Sequence, residues 1–445
     1  MKLRQTLELQ IISLNANGQG EAFFEGKTID VDNVFPGDIV KASVTFISKE
    51  KIFAKAFEFI KLSDLRIQPL CGHAPKCGGC NWQEISYETQ LELKQKLISS
   101  EFQKQNLNIV VHPVSPSTSQ AYRSKTQFAL SFTQGKTLIG HFKKNSHEIV
   151  DLDSCPVHPA PINTITQNLK NLIVKNKISI YEEKKHRGLL RHIHLRFSQY
   201  EQKSILTLVV NESKTNFTLD QFVKEVAAEN KDILGILVNF NTQEGNTIIG
   251  NHNELLWGKD LLEEVVNGKH YLFSSTNFFQ TNISIAEKIC EKIKDLFQGG
   301  TLLDLYSGVG LYAVQLGEKA TAITCVEYSE AAIVNAKLNL KNNQLDKKSE
   351  CFSGDVLKFL EHFTSTKKIF DTVIVNPPRK GLDEKVKELL PLIVGRDLIY
   401  VSCSPITLAR DLKELSSTFI IEELFPFDMF PHTHHVESVV YLKKK

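Results

Sequence analysis

Leu302-Leu303-Asp304-Leu305-Tyr306-Ser307-Gly308-Val309-Gly310 reads as a buried strand that runs into a glycine turn and then a helix. Glycines at such a turn let the backbone approach a ligand where a side chain would clash. About twenty residues further on, at the spacing of a ribose-binding acid, Glu327 closes the apolar run Thr321-Ala322-Ile323-Thr324-Cys325-Val326. A carboxylate there can accept hydrogen bonds from both ribose hydroxyls. A dinucleotide site is the rival reading. Its fingerprint wants a third glycine three residues after the second, where Ala313 stands, and some such sites allow alanine.

Outward from this turn, the runs at 370–376 and 398–403 are also strand-like, and helical stretches such as 329–343 separate them. Strands alternating with helices predict a parallel, doubly wound sheet over 266–445. Residues 1–60 differ. Five short runs rich in β-branched and aromatic residues, punctuated by Asn17-Gly18, Gly26-Lys27 and Pro36-Gly37, predict a small closed β-barrel of the OB type. Residues 61–265 hold a cysteine-rich loop, a helix after the cap candidate Ser86, and an α+β segment. The fold class expected is thus multidomain: a barrel, an α+β centre and an α/β Rossmann-like domain.

The 445 residues are 42% hydrophobic and 23% charged, ordinary for a globular protein, and the net charge is only +2. Whole-chain charge gives no case for nucleic acid, so an RNA surface must come from local patches. Residues 61–150 and the stretch from Lys184-Lys185-His186-Arg187 to Arg191, His192, His194 and Arg196 are the basic candidates; a solvated face is the plainer reading of either. No apolar run is long enough to span a bilayer. The opening MKLRQTLELQ lacks the apolar stretch of a signal peptide, so a cytoplasmic, non-membrane protein is expected, and a monomer. Eight cysteines in a reducing compartment should not pair as disulfides.

Asn376-Pro377-Pro378-Arg379 and Ser402-Cys403-Ser404-Pro405 both follow strands, at the sheet edge where open α/β folds bind ligands. The glycine turn resembles the first motif of class I methyltransferases, which use S-adenosylmethionine. Asn-Pro-Pro before an aromatic resembles amino-group methyltransferases, but Arg379 stands in the aromatic's place. Cys403, flanked by serines and a proline, reads as an active-site rim residue, whereas Cys290, Cys325 and Cys351 read as packing. A thiolate gives a methyltransferase something specific. Carbon 5 of uracil is a poor nucleophile until a thiolate adds to carbon 6 and makes the ring an enolate. A base must then remove the carbon 5 proton. Glu437, in His434-His435-Val436-Glu437-Ser438 before the strand-like Val439-Val440-Tyr441-Leu442, is the chosen base; His434 and His435 are rivals. Phe278, Phe279, Arg123 and Lys125 are candidates for holding an unstacked base and its backbone.

Cys71, Cys77, Cys80 and the distant Cys155 form one tight triple and one partner. Cysteine count alone leaves zinc and an iron–sulfur cluster both open, with His73 a further zinc-type ligand.

Taken together, the barrel, the cysteines, Phe278-Phe279-Gln280-Thr281-Asn282, the glycine turn, Asn376-Pro377-Pro378-Arg379-Lys380-Gly381, Ser402-Cys403-Ser404-Pro405 and His434-His435-Val436-Glu437 resemble the RNA 5-methyluridine (uracil-C5) methyltransferase family. The resemblance is to its branch with an N-terminal TRAM domain and an iron–sulfur cluster, most of all to the 23S rRNA enzymes. It implies Cys403 as nucleophile and Glu437 as base. It also implies S-adenosylmethionine contacts from Gln280, Tyr306, Glu327 and Asn376, and a [4Fe–4S] cluster on Cys71, Cys77, Cys80 and Cys155. The RNA substrate it implies is 23S rRNA before tRNA. Asn376 and Ser307 depart from the commoner Asp and Cys, both conservatively in hydrogen-bonding terms.

Overall fold

The computed structural model describes residues 1–49, 51–144, 146–245 and 247–445. The first sheet has the strands Thr6–Gln10, Ser13–Leu14, Gly20–Phe24, Lys27–Asp32, Ile39–Ile47 and Ile52–Lys61. Alternation buries Leu7, Leu9, Val40, Ala42 and Val44 on the inner face. The sheet curls into a half-barrel of the expected OB-like kind. At Ile11-Ile12 the chain switches partners: the Ile11 amide donates to the Asp38 carbonyl and the Ile12 amide to that of Glu21. One strand-like run therefore becomes two short strands on opposite edges of the sheet.

Ser86 caps the helix Tyr87–Lys104, its hydroxyl accepting from the Thr89 amide. This helix joins the half-barrel to the last sheet. Trp82, Leu93 and Leu97 bury against Leu14 and Phe35 of the half-barrel. Lys94 and Gln90 reach the other way, to Asp428 and His432.

The central sheet has seven strands, with Ile149–Asp151 at one edge and His252–Gly258 at the other. Helices Ala160–Lys175 and Phe217–Glu229 cover one face through Ile162, Ile165, Leu169, Phe222 and Val226. On Leu190–Ser198, Arg196 reaches the backbone of Phe279 and Gln280.

The last sheet is the Rossmann-like one. Ser349–Ser353, Ala320–Glu327, Gly300–Leu305, Phe370–Val375 and Val394–Ser402 run parallel in that spatial order. Glu437–Lys444 then inserts antiparallel between Val394–Ser402 and Phe419–Phe427. Near-continuous apolar runs such as Leu302, Leu303 and Leu305 are buried because helices cover both faces. Among the described residues, no helix is long and apolar enough to cross a membrane.

Candidate active site

The strand Gly300–Leu305 delivers the glycine turn to the carboxyl edge of the sheet. Tyr306 takes a left-handed φ of 60°, as do Gly308 at 55° and Gly310 at 83°. For a tyrosine this conformation costs about 1–2 kcal/mol, a strain typical of functional sites. A Cβ built on Gly308 meets nothing nearer than the Phe278 carbonyl at 4.0 Å, so this backbone faces open space. The Glu327 carboxylate is fixed beside it, accepting from the Gly308 amide at 3.0 Å and the Ser329 amide at 2.9 Å.

That space is a cavity of about 740 Å³. All six expected site residues outside the cysteine loop line it: Gln280, Tyr306, Glu327, Asn376, Cys403 and Glu437. Its walls are otherwise apolar on one part (Phe278, Ala332, Val356, Leu357) and cationic at Arg379. A carboxylate at a strand end, backbone without side chains and apolar walls suit an adenosine with its ribose hydroxyls. The donor set thus fits S-adenosylmethionine.

Cys403 and Glu437 reach the cavity from neighbouring strands, since Ser402 pairs with Ser438 across the antiparallel ladder. The strand begins at Glu437 itself, which is 5% exposed. Burial lifts its carboxyl to about 8, against the opposing pull of the Arg379 guanidinium. Burial likewise raises the Cys403 thiol, Glu437 adds to the rise, and Arg379, hydrogen-bonded to the thiol, lowers it. His434 and His435 line a neighbouring space and not this cavity. Burial holds them at about 4 and about 3, which makes them weak bases.

Other expected residues separate. Phe278 stands 63% exposed on the cavity wall, while Phe279 is core, stacked on Phe273 at 4.4 Å and 6°. The second basic stretch is not a solvated face in its later part. Arg191 donates to the carbonyls of Asn241 and Gln243, and Arg196 is wholly buried beneath the Phe279-Gln280 backbone. Cys290 and Cys325 are packed inside, as expected; Cys351 is half-buried against Cys325. Sequence reasoning missed Asp355, which lines the cavity while accepting from the Leu357 amide as a helix cap. Its signal was an acidic residue just beyond the strand Ser349–Ser353.

The cysteine loop corrects an expectation. Among the described residues, no group of three or more His, Cys, Asp or Glu could hold a metal ion. The thiols find local partners instead: Cys77 accepts from the Gly79 amide, Cys80 engages the Gln83 side chain, and Cys155 meets the Val157 backbone. Burial raises Cys80 to about 11 and Cys155 to about 12. A [4Fe–4S] cluster on Cys71, Cys77, Cys80 and Cys155 is not supported, and neither is zinc.

A family model described as tRNA (uracil-5-)-methyltransferase matches residues 86–445. An uncharacterized RNA methyltransferase of Gloeobacter violaceus is 34% identical, covering 99% of this chain and 97% of its own. One of Listeria monocytogenes is 31% identical over 99% and 98%. The crystal structure of the Pyrococcus abyssi tRNA (uracil-54, C5)-methyltransferase with S-adenosyl-L-homocysteine superposes with a TM-score of 0.79 at 29% identity, covering 98% of this chain and all of that one. The family model and the Pyrococcus structure overturn the expected branch: both name tRNA enzymes, not 23S rRNA ones, and among the described residues no metal-holding group supports an iron–sulfur assignment. The chain belongs to the tRNA (uracil-5-)-methyltransferase family, whose reaction is S-adenosylmethionine-dependent methylation of uracil carbon 5 in RNA.

Proposed function

We propose that this chain methylates carbon 5 of a uridine in tRNA, the position equivalent to uracil 54 of the Pyrococcus substrate, through a covalent adduct on Cys403. The observation that carries this reading is the meeting of Cys403, Glu437 and Arg379 in the cavity that also holds Gln280, Tyr306, Glu327 and Asn376. In it, Cys403 adds to carbon 6 and Arg379 favours the thiolate by its charge. When bound, S-adenosylmethionine supplies an electrophilic methyl group for carbon 5. Glu437 takes the carbon 5 proton, the ring's double bond re-forms and Cys403 leaves as thiolate. Phe278 is the aromatic wall for the extruded ring. The chain is read as three units, 1–60, 61–265 and 266–445, the first two gripping RNA, in a cytoplasmic enzyme.

The test is methyl transfer from labelled S-adenosylmethionine to unmodified tRNA transcripts and to 23S rRNA fragments. Label in a tRNA uridine is expected, with none above background for Cys403→Ala. Turnover by that variant, or label confined to the rRNA fragments, would sink the reading.

A further inference from the structure

Beside the active cavity lies a second chamber, of about 550 Å³. Three segments far apart in sequence close it: the turn carrying Asn17 and Gln19, the loop Gly78 to Asn81, and the segment from Phe430 to His435. Arg379 and Phe430 line both spaces, so the two share a wall.

The chamber is built, not incidental. A Cβ on Gly18, at φ 74°, would fall 2.6 Å from the Cβ of His434, so the half-barrel turn sits directly on that side chain. Asn81 Nδ2 lies 3.0 Å from His434 Nδ1, and Gln19 Nε2 donates to Asp32 at 2.9 Å. The rings of His434 and His435 are 4.1 Å apart, and His435 meets Phe430 edge-on at 6.0 Å. The His435 ring makes no hydrogen bond among the described residues. Both imidazoles are held neutral by burial. The lining is therefore flat uncharged rings and amides, with the cations Arg123, Lys144 and Arg379 and the Gln19-bonded Asp32 carboxylate added. On its other side, Gly78, Gly79, Arg123 and Lys144 also line a groove that continues to Lys143 and Ser146.

Flat rings and amides in a concave space match a nucleobase, which offers faces to stack and edges to hydrogen-bond. Cations along a groove match phosphates. We infer that this chamber receives a second unstacked nucleobase of the substrate strand, a near neighbour of the target uridine, with its flanking phosphates on Arg123 and Lys144. The inference rests on the reading that the adjoining cavity takes the uridine. A strand that turns its target into one cavity must turn its neighbours too, and the shared wall at Phe430 separates the two bases. Selectivity then depends on a loop able to give up two bases, not one.

The test uses a stem-loop RNA with one target uridine and a series in which each neighbouring loop nucleotide in turn is abasic. With the wild-type protein, one abasic position should lower kcat/KM about tenfold or more, the worth of one stacked base. Two variants then probe the chamber. A Cβ on Gly79 meets only Cys77 Sγ at 3.5 Å and His141 at 3.7 Å, so Gly79→Leu adds bulk without backbone strain. Asn81→Ala removes an amide from the lining. Both should lower kcat/KM on the intact RNA and leave it unchanged on that abasic RNA. Equal rates across the abasic series, or variants that slow both RNAs alike, would overturn the chamber while leaving the uridine site standing. An intact RNA that is never methylated at its uridine would sink the functional reading, and the chamber with it.

Discussion

Lys94 and Asp428 form an ion pair with neither side chain exposed, Nζ to Oδ1 at 2.5 Å. Lys94 also donates to the Phe430 carbonyl at 3.1 Å. The helix Tyr87–Lys104 thereby holds the segment that carries Phe430 and leads into Glu437. Burial pulls the Lys94 ammonium below its ordinary range and Asp428 opposes it. Removing one partner leaves the other charge buried alone, which typically costs about 3–5 kcal/mol. Lys94→Met should therefore lower unfolding stability by about that amount. Lys94→Met with Asp428→Leu should recover most of it. Equal losses in the single and double variants, read by denaturant unfolding, would show that the pair is not the source.

Gly18 is a second junction. Its left-handed φ of 74° and the 2.6 Å approach of His434 leave no room for a side chain. Gly18→Ala faces about 1–2 kcal/mol for the backbone conformation alone, and the clash adds to it. The half-barrel is expected to loosen from His434, with faster proteolysis between residues 60 and 80 and a raised KM for RNA. KM for the cofactor should hardly move. A variant with native proteolysis and native RNA kinetics would show that the turn is not a clamp.

Arg196 sits wholly buried under the Phe279-Gln280 segment of the cavity wall, donating to Phe279 O at 2.8 Å and Gln280 O at 3.3 Å. Burial brings its guanidinium down to about 9, and its Nε and Nη1 have no hydrogen-bond partner among the described residues. Gains and costs of such a charge roughly cancel against an apolar isostere. Arg196→Met should thus change stability by only about 1 kcal/mol, yet free the Gln280 backbone. KM for S-adenosylmethionine is expected to rise about tenfold, the worth of one or two hydrogen bonds, with kcat on saturating cofactor little altered. An unchanged cofactor KM would assign Arg196 to packing alone.

These residues show which parts of the protein are legible in its sequence. The glycine turn and the Ser86 cap are local: backbone φ and one hydrogen bond decide them, and neighbouring residues reveal both. The partner switch at Ile11-Ile12 is not local, because it depends on Asp38 and Glu21 arriving from other strands. Phe278 and Phe279 are indistinguishable by type in a segment with no helical or strand period. The stacked Phe273 ring settles which one is core. Arg196 looks basic and solvent-seeking until a segment some eighty residues away, at Phe279-Gln280, covers it. The residues that meet in the cavity were singled out because reaction chemistry restricts residue type. The choice of RNA was not, since the motifs describe what happens to a uracil and say nothing of the molecule that carries it. The cysteine spacing misled for a related reason: spacing does not show that Cys77, Cys80 and Cys155 each take a local partner.

Removal of the proton at carbon 5 should depend on pH. Glu437 is raised to about 8 by burial, so near neutral pH most of the resting enzyme holds it as the neutral acid. Only the carboxylate can accept the proton, and its fraction grows as pH rises through that value. The rate of product release from the preformed adduct, in which Cys403 no longer titrates, should therefore climb from pH 6.5 toward pH 9, about tenfold for each unit below the pKa and flat above it. Arg379 lowers the pKa of Glu437, so Arg379→Met should move the midpoint upward. Glu437→Gln has no acid to titrate. It should still add Cys403 to carbon 6, yet release product slowly, so that a protein–RNA species resistant to denaturation accumulates and the climb disappears. The three profiles separate the possible bases. A midpoint that persists near 8 in Glu437→Gln would move the proton to another group, and His434 and His435, held at about 4 and about 3, titrate too low to supply it.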